Sequence, residues 1–368
     1  VDWIIDIPVP EIPQSTESLF YPKGAIRELD DPLFDSEIAA LGMYEPAAFS
    51  EKVPTMFYAL EEDSYRTPVV FVHGMGGSAR EFASIVNQLD RKRYKPWFFY
   101  YPSGRDLDQL AEIFYDIYLS GEVVSLDAMP LIIVAHSMGG LVVREALNKY
   151  RGSKRENRVE LLITIASPLG GHPAAAKGAK HGPLVLPSWN DLNPASPFMN
   201  RLFHKPLPPH VKHQLLYAYG NPKKQKRGEN SDGVVPLSSQ LNPVAQRQAT
   251  EQFGFNSSHA GVLKDDDAIR HVVKAISQVK SDFPESHIKI LMNGGYDIDL
   301  DDSYSEKEKY YIRTMGKYLY SVVSGRLEYL GNPTLERFVK VSQGKAKAKT
   351  DVERAWSKFV KDYPRYSD

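Results

Sequence analysis

The sequence predicts an α/β protein built on a mostly parallel sheet with helices on both faces. Short runs rich in β-branched and aromatic residues recur at residues 68–72, 96–101, 131–134, 159–166 and 214–220. These runs are apolar at nearly every position instead of alternating, which is the pattern of strands covered on both sides. Between them lie segments whose apolar residues return at helical spacing, and strands alternating with helices are what a parallel sheet with crossover connections requires.

Taken in order, the chain opens with prolines alternating through Ile5-Asp6-Ile7-Pro8-Val9-Pro10-Glu11-Ile12-Pro13. This forbids helix and predicts an extended tether, so residues 1–50 are read as an extended lead-in. Pro68-Val69-Val70-Phe71-Val72 then ends at His73-Gly74-Met75-Gly76-Gly77, with a helical pattern over 79–89. The next run stops at Pro102-Ser103-Gly104, after which Leu107, Leu110, Ile113, Phe114, Ile117 and Tyr118 recur at helical spacing. The run from Leu131 to Val134 leads into Ala135-His136-Ser137-Met138-Gly139-Gly140 and a further helix, and 159–166 supplies another strand.

From Ser167 to about His210 the pattern changes to Gly, Pro and isolated large apolar residues such as Leu186, Trp189 and Phe198. Lying directly beyond a strand end, this insertion (about 167–212) predicts a cap over a site at the carboxyl edge of the sheet; two irregular core helices are the alternative. A strand resumes at 214–220, and the basic loop Lys223-Lys224-Gln225-Lys226-Arg227 is read as a solvated turn. A helix from near Asp265 closes the core domain, set at residues 51–283. Residues 284–368 carry amphipathic stripes, among them Tyr318, Leu319 and Val322, then Phe338 and Val339, then Trp356 and Phe359. They predict a mainly helical extension that packs on the core or binds a partner.

Composition narrows the classes. Lys plus Arg (45) balances Asp plus Glu (46), which gives no field for nucleic acid. Cysteine is absent, excluding disulfides, thiolate metal sites and cysteine nucleophiles. No apolar run is long enough to span a bilayer. The start at Val1, with its tether-like continuation, carries an expectation of export, as a periplasmic, secreted or lipid-anchored protein, with room for peripheral membrane association.

The chemistry is concentrated around Ser137. A serine between an apolar strand and a helix, with small residues Ala135 and Gly139 two positions to either side, reads as a nucleophile elbow. Alanine replaces the more usual glycine but keeps the steric requirement. A serine hydroxyl needs a base, and the base needs a group that fixes its tautomer; on such sheets the order is nucleophile, acid, histidine. Asp232, in Ser231-Asp232-Gly233-Val234-Val235, and His259, in Ser257-Ser258-His259-Ala260-Gly261, supply that order from loops. Glu229, Asp191 and Asp265 are the competing acids. The amides of Met138 and Met75 are expected to hold an oxyanion, Gly74, Gly76 and Gly77 letting the backbone approach closely. His73 is expected to brace that loop, and His136 to flank the nucleophile.

Asp297, Asp299, Asp301, Ser303, Ser305 and Glu308 fall at the ligand positions of a calcium loop. Asp302 stands where such a loop needs glycine, and Gly294-Gly295 argues against an incoming helix, so Ser305 and Glu308 are read instead as a capping box. No metal and no cofactor is expected.

The H-G-x-G-G, A-H-S-M-G-G and S/N-D-G-V-V elements resemble those of the α/β-hydrolase superfamily, in particular its bacterial lipase and esterase-like group. Ser167-Pro168-Leu169-Gly170-Gly171-His172, Pro187-Ser188-Trp189 and Ser196-Pro197-Phe198 are similar to segments after its sixth strand. Gly42-Met43-Tyr44-Glu45-Pro46 is similar to a lead-in of exported, sometimes lipid-anchored, members. The resemblance spans roughly residues 40–280 and implies ester hydrolysis through an acyl-enzyme, with an acyl-ester or lipid-like small molecule as substrate. An acyltransferase with the same triad, or a scaffold on the same fold, remains an alternative.

Overall fold

The computed structural model describes residues 21–366 apart from 23, 63–65, 127–128, 176–185, 222–229 and 282. The opening tether, the basic loop at 223–227 and the middle of the insertion therefore lie outside the described residues. The chain divides into two compact units, Val1–Ser281 and Asp282–Asp368.

The first unit is organised by a seven-stranded sheet: β1 (Phe57–Ala59), β2 (Thr67–Val72), β3 (Tyr94–Phe99), β4 (Pro130–His136), β5 (Arg158–Ile165), β6 (Lys212–Ala218) and β7 (Glu251–Phe255). Their order is β1-β3-β2-β4-β5-β6-β7. β1 runs antiparallel to β3, and every other neighbouring pair is parallel. Every residue of β2, β3 and β4 is buried, which accounts for runs that are apolar at nearly every position; Lys95, buried in β3, sets its ammonium over the Trp97 ring. Helices Ala83–Gln88, Leu107–Phe114, Gly139–Lys149 and Asp266–Ser277 connect and cover the strands. The mostly parallel sheet with flanking helices is thus the architecture that the alternating pattern predicts.

Three features depart from that pattern. β7 reads Glu-Gln-Phe-Gly-Phe and is largely exposed; an edge strand needs backbone pairing on one side only, here with β6, and leaves no apolar run to find. β1, at the opposite edge, is three residues long and antiparallel. The described part of the lead-in is not extended. It forms helices Ser36–Tyr44 and Pro46–Lys52, with Phe34 and Phe49 buried against Tyr100, ring centroids 5.3 and 5.0 Å away. The early prolines say nothing about residues 34–53, where buried aromatic surface decides the conformation. This segment belongs to the main core cluster.

Within the insertion, helices Pro187–Leu192 and Pro197–Arg201 each open on proline, whose fixed φ suits a first helical position. In the second unit the stripes form helices Glu306–Val323, Pro333–Ser342 and Asp351–Asp362, burying Tyr318, Leu319, Phe338, Val339, Trp356 and Phe359. A shorter helix, Glu285–Leu291, precedes them. Ser305 and Glu308 form a reciprocal capping box: Glu308 N–H donates to Ser305 Oγ at 3.3 Å, and Ser305 N–H to Glu308 Oε2 at 2.8 Å. Both side chains are thereby engaged in starting a helix.

Because Phe49 is 1% exposed, Phe49→Ala should destabilise the first unit by about 3–5 kcal/mol, read as a lowered urea midpoint with unchanged slope. A loss below about 1 kcal/mol would return this segment to the status of a loosely attached lead-in.

Candidate active site

The site is assembled at the carboxyl ends of the strands. After β2 the chain makes a tight turn in which Gly77 N–H donates to the Gly74 carbonyl at 3.1 Å. Gly76, third in that turn, has φ +66°, a conformation that favours glycine. Its N–H donates to the buried Ser103 Oγ at 2.9 Å. His73 braces the turn from below: its ring stacks on Tyr101 at 4.1 Å, Nδ1–H donates to the Gly74 carbonyl at 2.7 Å, and Nε2 accepts from Tyr101 N–H at 3.2 Å. One donor and one acceptor define a neutral imidazole. Burial lowers the His73 pKa, against the field of Glu81, and so acts in the same direction.

β4 ends at His136, and Ser137 turns into the following helix with φ 53°, a left-handed conformation that is strained for serine. Its N–H donates to the Ile165 carbonyl at 2.8 Å. Close packing explains the neighbouring small residues. A Cβ on Gly139 would lie 2.5 Å from the Val72 carbonyl oxygen, and one on Gly140 2.2 Å from Ser167 Oγ. One on Gly74 would lie 2.8 Å from Ser137 Cβ. Ala135, paired with Val72 on β2 and Thr164 on β5, is fully buried.

Asp232 follows β6 in a turn whose amides fix its carboxylate. Oδ1 accepts from Val234 N–H at 2.9 Å and Val235 N–H at 2.7 Å, and Oδ2 accepts from His259 Nδ1–H at 2.6 Å. The backbone repeats the link, His259 N–H donating to the Asp232 carbonyl at 2.9 Å. His259 follows β7 and puts Nε2 2.9 Å from Ser137 Oγ. With Nδ1–H committed to the carboxylate, Nε2 is the acceptor and the serine hydroxyl the donor. Burial holds the His259 pKa below the ordinary histidine value even though the Asp232 hydrogen bond pulls it up. The ring is therefore neutral at pH 7, the state a base requires.

Neither the Met75 nor the Met138 N–H donates to any of the described residues. Both residues line a cavity of about 250 Å³ together with Ser137. The insertion supplies Pro168, His172, Ala174, Ala175, Trp189 and Leu192 to its wall, and the turn after Asp232 supplies Val234 and Val235. His172 Nε2–H donates to the Val234 carbonyl at 2.8 Å, and Trp189 Nε1–H to Met75 Sδ at 3.3 Å.

The competing acids have other partners. Asp265 caps the Asp266–Ser277 helix, and Asp191 accepts from Leu107 N–H at 2.8 Å with its pKa pushed up to about 6, chiefly by burial. Glu229 lies outside the described residues. Three residues escaped notice in the sequence. Gln240 Nε2–H reaches Asp232 Oδ2 at 3.3 Å, Ser103 holds Gly76, and Glu81 lies 3.0 Å from His136. No spacing rule marks them, because each reaches the site across the fold.

A parallel sheet that presents a strained serine at a strand-to-helix corner, with histidine and aspartate arriving from later loops, defines the class of α/β hydrolases. The sequence profile of the Alpha/beta hydrolase family matches residues 69–296, more than half of the chain, and the chain belongs to that family. Among solved structures it is similar to a mature Bacillus licheniformis lipase at 20% identity, covering 61% of this chain and 98% of that one, with TM-score 0.46. It is also similar to Aspergillus fumigatus lipase B (16% identity, 76% of this chain, 65% of that one, TM-score 0.46). A third likeness is to Legionella pneumophila phospholipase PlaB (16% identity, 58% and 60% coverage, TM-score 0.46). No curated protein matches the sequence.

Gly139→Ala should destabilise the first unit by about 1–3 kcal/mol, since its methyl group meets two backbone carbonyls that cannot swing aside. A thermal midpoint equal to that of the unaltered chain would show that the corner is looser than drawn.

Proposed function

We propose that this protein is a cofactor-independent serine hydrolase that cleaves carboxylic esters, with lipid-like acyl esters as its preferred class. The observation that carries the reading is the continuous hydrogen-bonded chain from Ser137 Oγ to His259 to Asp232, at 2.9 and 2.6 Å.

In this reading Ser137 Oγ attacks the ester carbonyl carbon while its proton passes to His259 Nε2. The C=O π pair moves onto oxygen, which accepts hydrogen bonds from the free Met75 and Met138 amides. Collapse breaks the bond to the alkoxy oxygen, which takes the proton from His259, and the alcohol leaves an acyl-enzyme. Water then repeats the sequence: His259 takes its proton, hydroxide oxygen bonds to the acyl carbon, and Ser137 Oγ departs with the proton as the acid is released. Asp232 stays ionised throughout and stabilises the imidazolium. The apolar wall of the cavity favours an acyl chain over a polar group.

Labelling with a fluorophosphonate probe should be lost in both Ser137→Ala and His259→Ala, with kcat lowered by roughly 10⁵–10⁶-fold in each. Asp232→Asn should cost roughly 10⁴-fold in kcat with little change in KM. An adduct that persists in Ser137→Ala would refute the assignment. Because His259 must be neutral and its pKa lies below 6.5, kcat/KM should rise with pH through a limb centred below pH 6.5 and then level off. Comparing p-nitrophenyl esters of increasing chain length tests the substrate class; a preference for acetate over longer chains would remove the lipid assignment.

A further inference from the structure

An ion pair that the reaction steps leave unused lies against His259. Glu81, on the short 3-10 helix Ala79–Phe82, places Oε1 3.0 Å from His136 Nδ1, and His136 Nε2 lies 3.0 Å from the backbone carbonyl of His259. The carbonyl and an ionised Glu81 can only accept, so a ring that satisfies both carries a proton on each nitrogen and is an imidazolium. Its side chain is only 5% exposed, where a positive ring needs a counter-charge. The backbone makes room for that counter-charge: a Cβ on Gly77 would lie 2.3 Å from Glu81 Oε2.

The His136 and His259 ring centroids are 4.8 Å apart. Among the described residues, the other titratable groups facing the pair are His73 just after β2, neutral through its own hydrogen bonds, Tyr101, whose phenol burial keeps neutral, and Asp232 in the turn after β6. Burial opposes the charge on His136, but the Glu81 carboxylate, its hydrogen bond and the His259 carbonyl outweigh it and raise the pKa of His136.

We propose that the Glu81–His136 pair is a positioning device for the histidine base: His136, doubly protonated, grips the His259 carbonyl and sets a fixed positive charge beside its imidazole. The proposal rests on the hydrolase reading above. It gives His136 two effects. The grip keeps the His259 ring between Asp232 and Ser137, and the charge discourages a second proton on His259, so the base stays available in mildly acidic solution. Glu81 pulls the other way, but it contacts His136 and not His259, so the nearer imidazolium decides the sign.

Glu81→Gln separates the two effects, because the glutamine amide can donate to Nδ1 while a neutral His136 keeps Nε2–H on the carbonyl. The acid limb of kcat/KM should move upward by roughly half a pH unit or more. The ¹⁵N shifts of the His136 ring at pH 7 should report two ring protons in the unaltered protein and one in Glu81→Gln. Coincident acid limbs in the two proteins, or a singly protonated His136 in the unaltered one, would overturn the proposal while Ser137-dependent fluorophosphonate labelling leaves the hydrolase reading standing. Absence of that labelling in the unaltered protein overturns both. A residue that served packing alone would change the unfolding midpoint and leave the acid limb where it was.

Discussion

The corner at Ser137 is the constraint on which the rest of the first unit depends. Its φ of 53° lies in the left-handed region, and a residue there persists only where its surroundings leave no alternative. Here they leave none, because the helix beginning at Gly139 packs against the Val72 and His73 carbonyls with no space for a side chain. Close approach of β2, β4 and the helix thus fixes the serine, and the glycines are a consequence of that approach.

The parallel sheet converts this local strain into a shared site. Parallel strands deliver their following loops to one edge, so the turns after β2, β4, β6 and β7 meet although 122 positions separate Ser137 from His259. Backbone amides then orient each group. Two of them fix Asp232, and a third doubles the His259–Asp232 link. Hydrogen bonds of this kind are set when the chain folds, so the arrangement they hold needs no further ordering.

Three histidines within this small region fall into two protonation assignments, each set by what it faces. His73 meets one donor and one acceptor and is neutral; His259 meets a carboxylate and a hydroxyl and is neutral with a defined tautomer; His136 meets two acceptors and is charged. Burial alone would leave all three neutral. The insertion adds a fourth, His172, tied to Val234 at the cavity wall, so the segment expected to cap the site contributes polar fastening as well as apolar surface.

Much of this was legible in the sequence, for a physical reason. Doubly buried strands are apolar at nearly every position, and a corner that admits no Cβ must carry glycine, so β2, β4, most of β5 and the Ser137 motif announce themselves locally. The turns holding Asp232 and His259 are marked by small residues in the expected order. What is not dictated locally was silent: edge strand β7, whose pairing is satisfied by backbone, and the helices at 36–52, whose conformation follows from where Phe34 and Phe49 find cover. Gln240, Ser103 and Glu81 were equally silent, since a polar side chain acquires a partner only when the fold brings one to it. Sequence alone determined the alternation of elements and the candidate nucleophile, acid and base; the tertiary structure decided their distances, their tautomers and the charge on His136, because those depend on groups that meet only after the chain has folded.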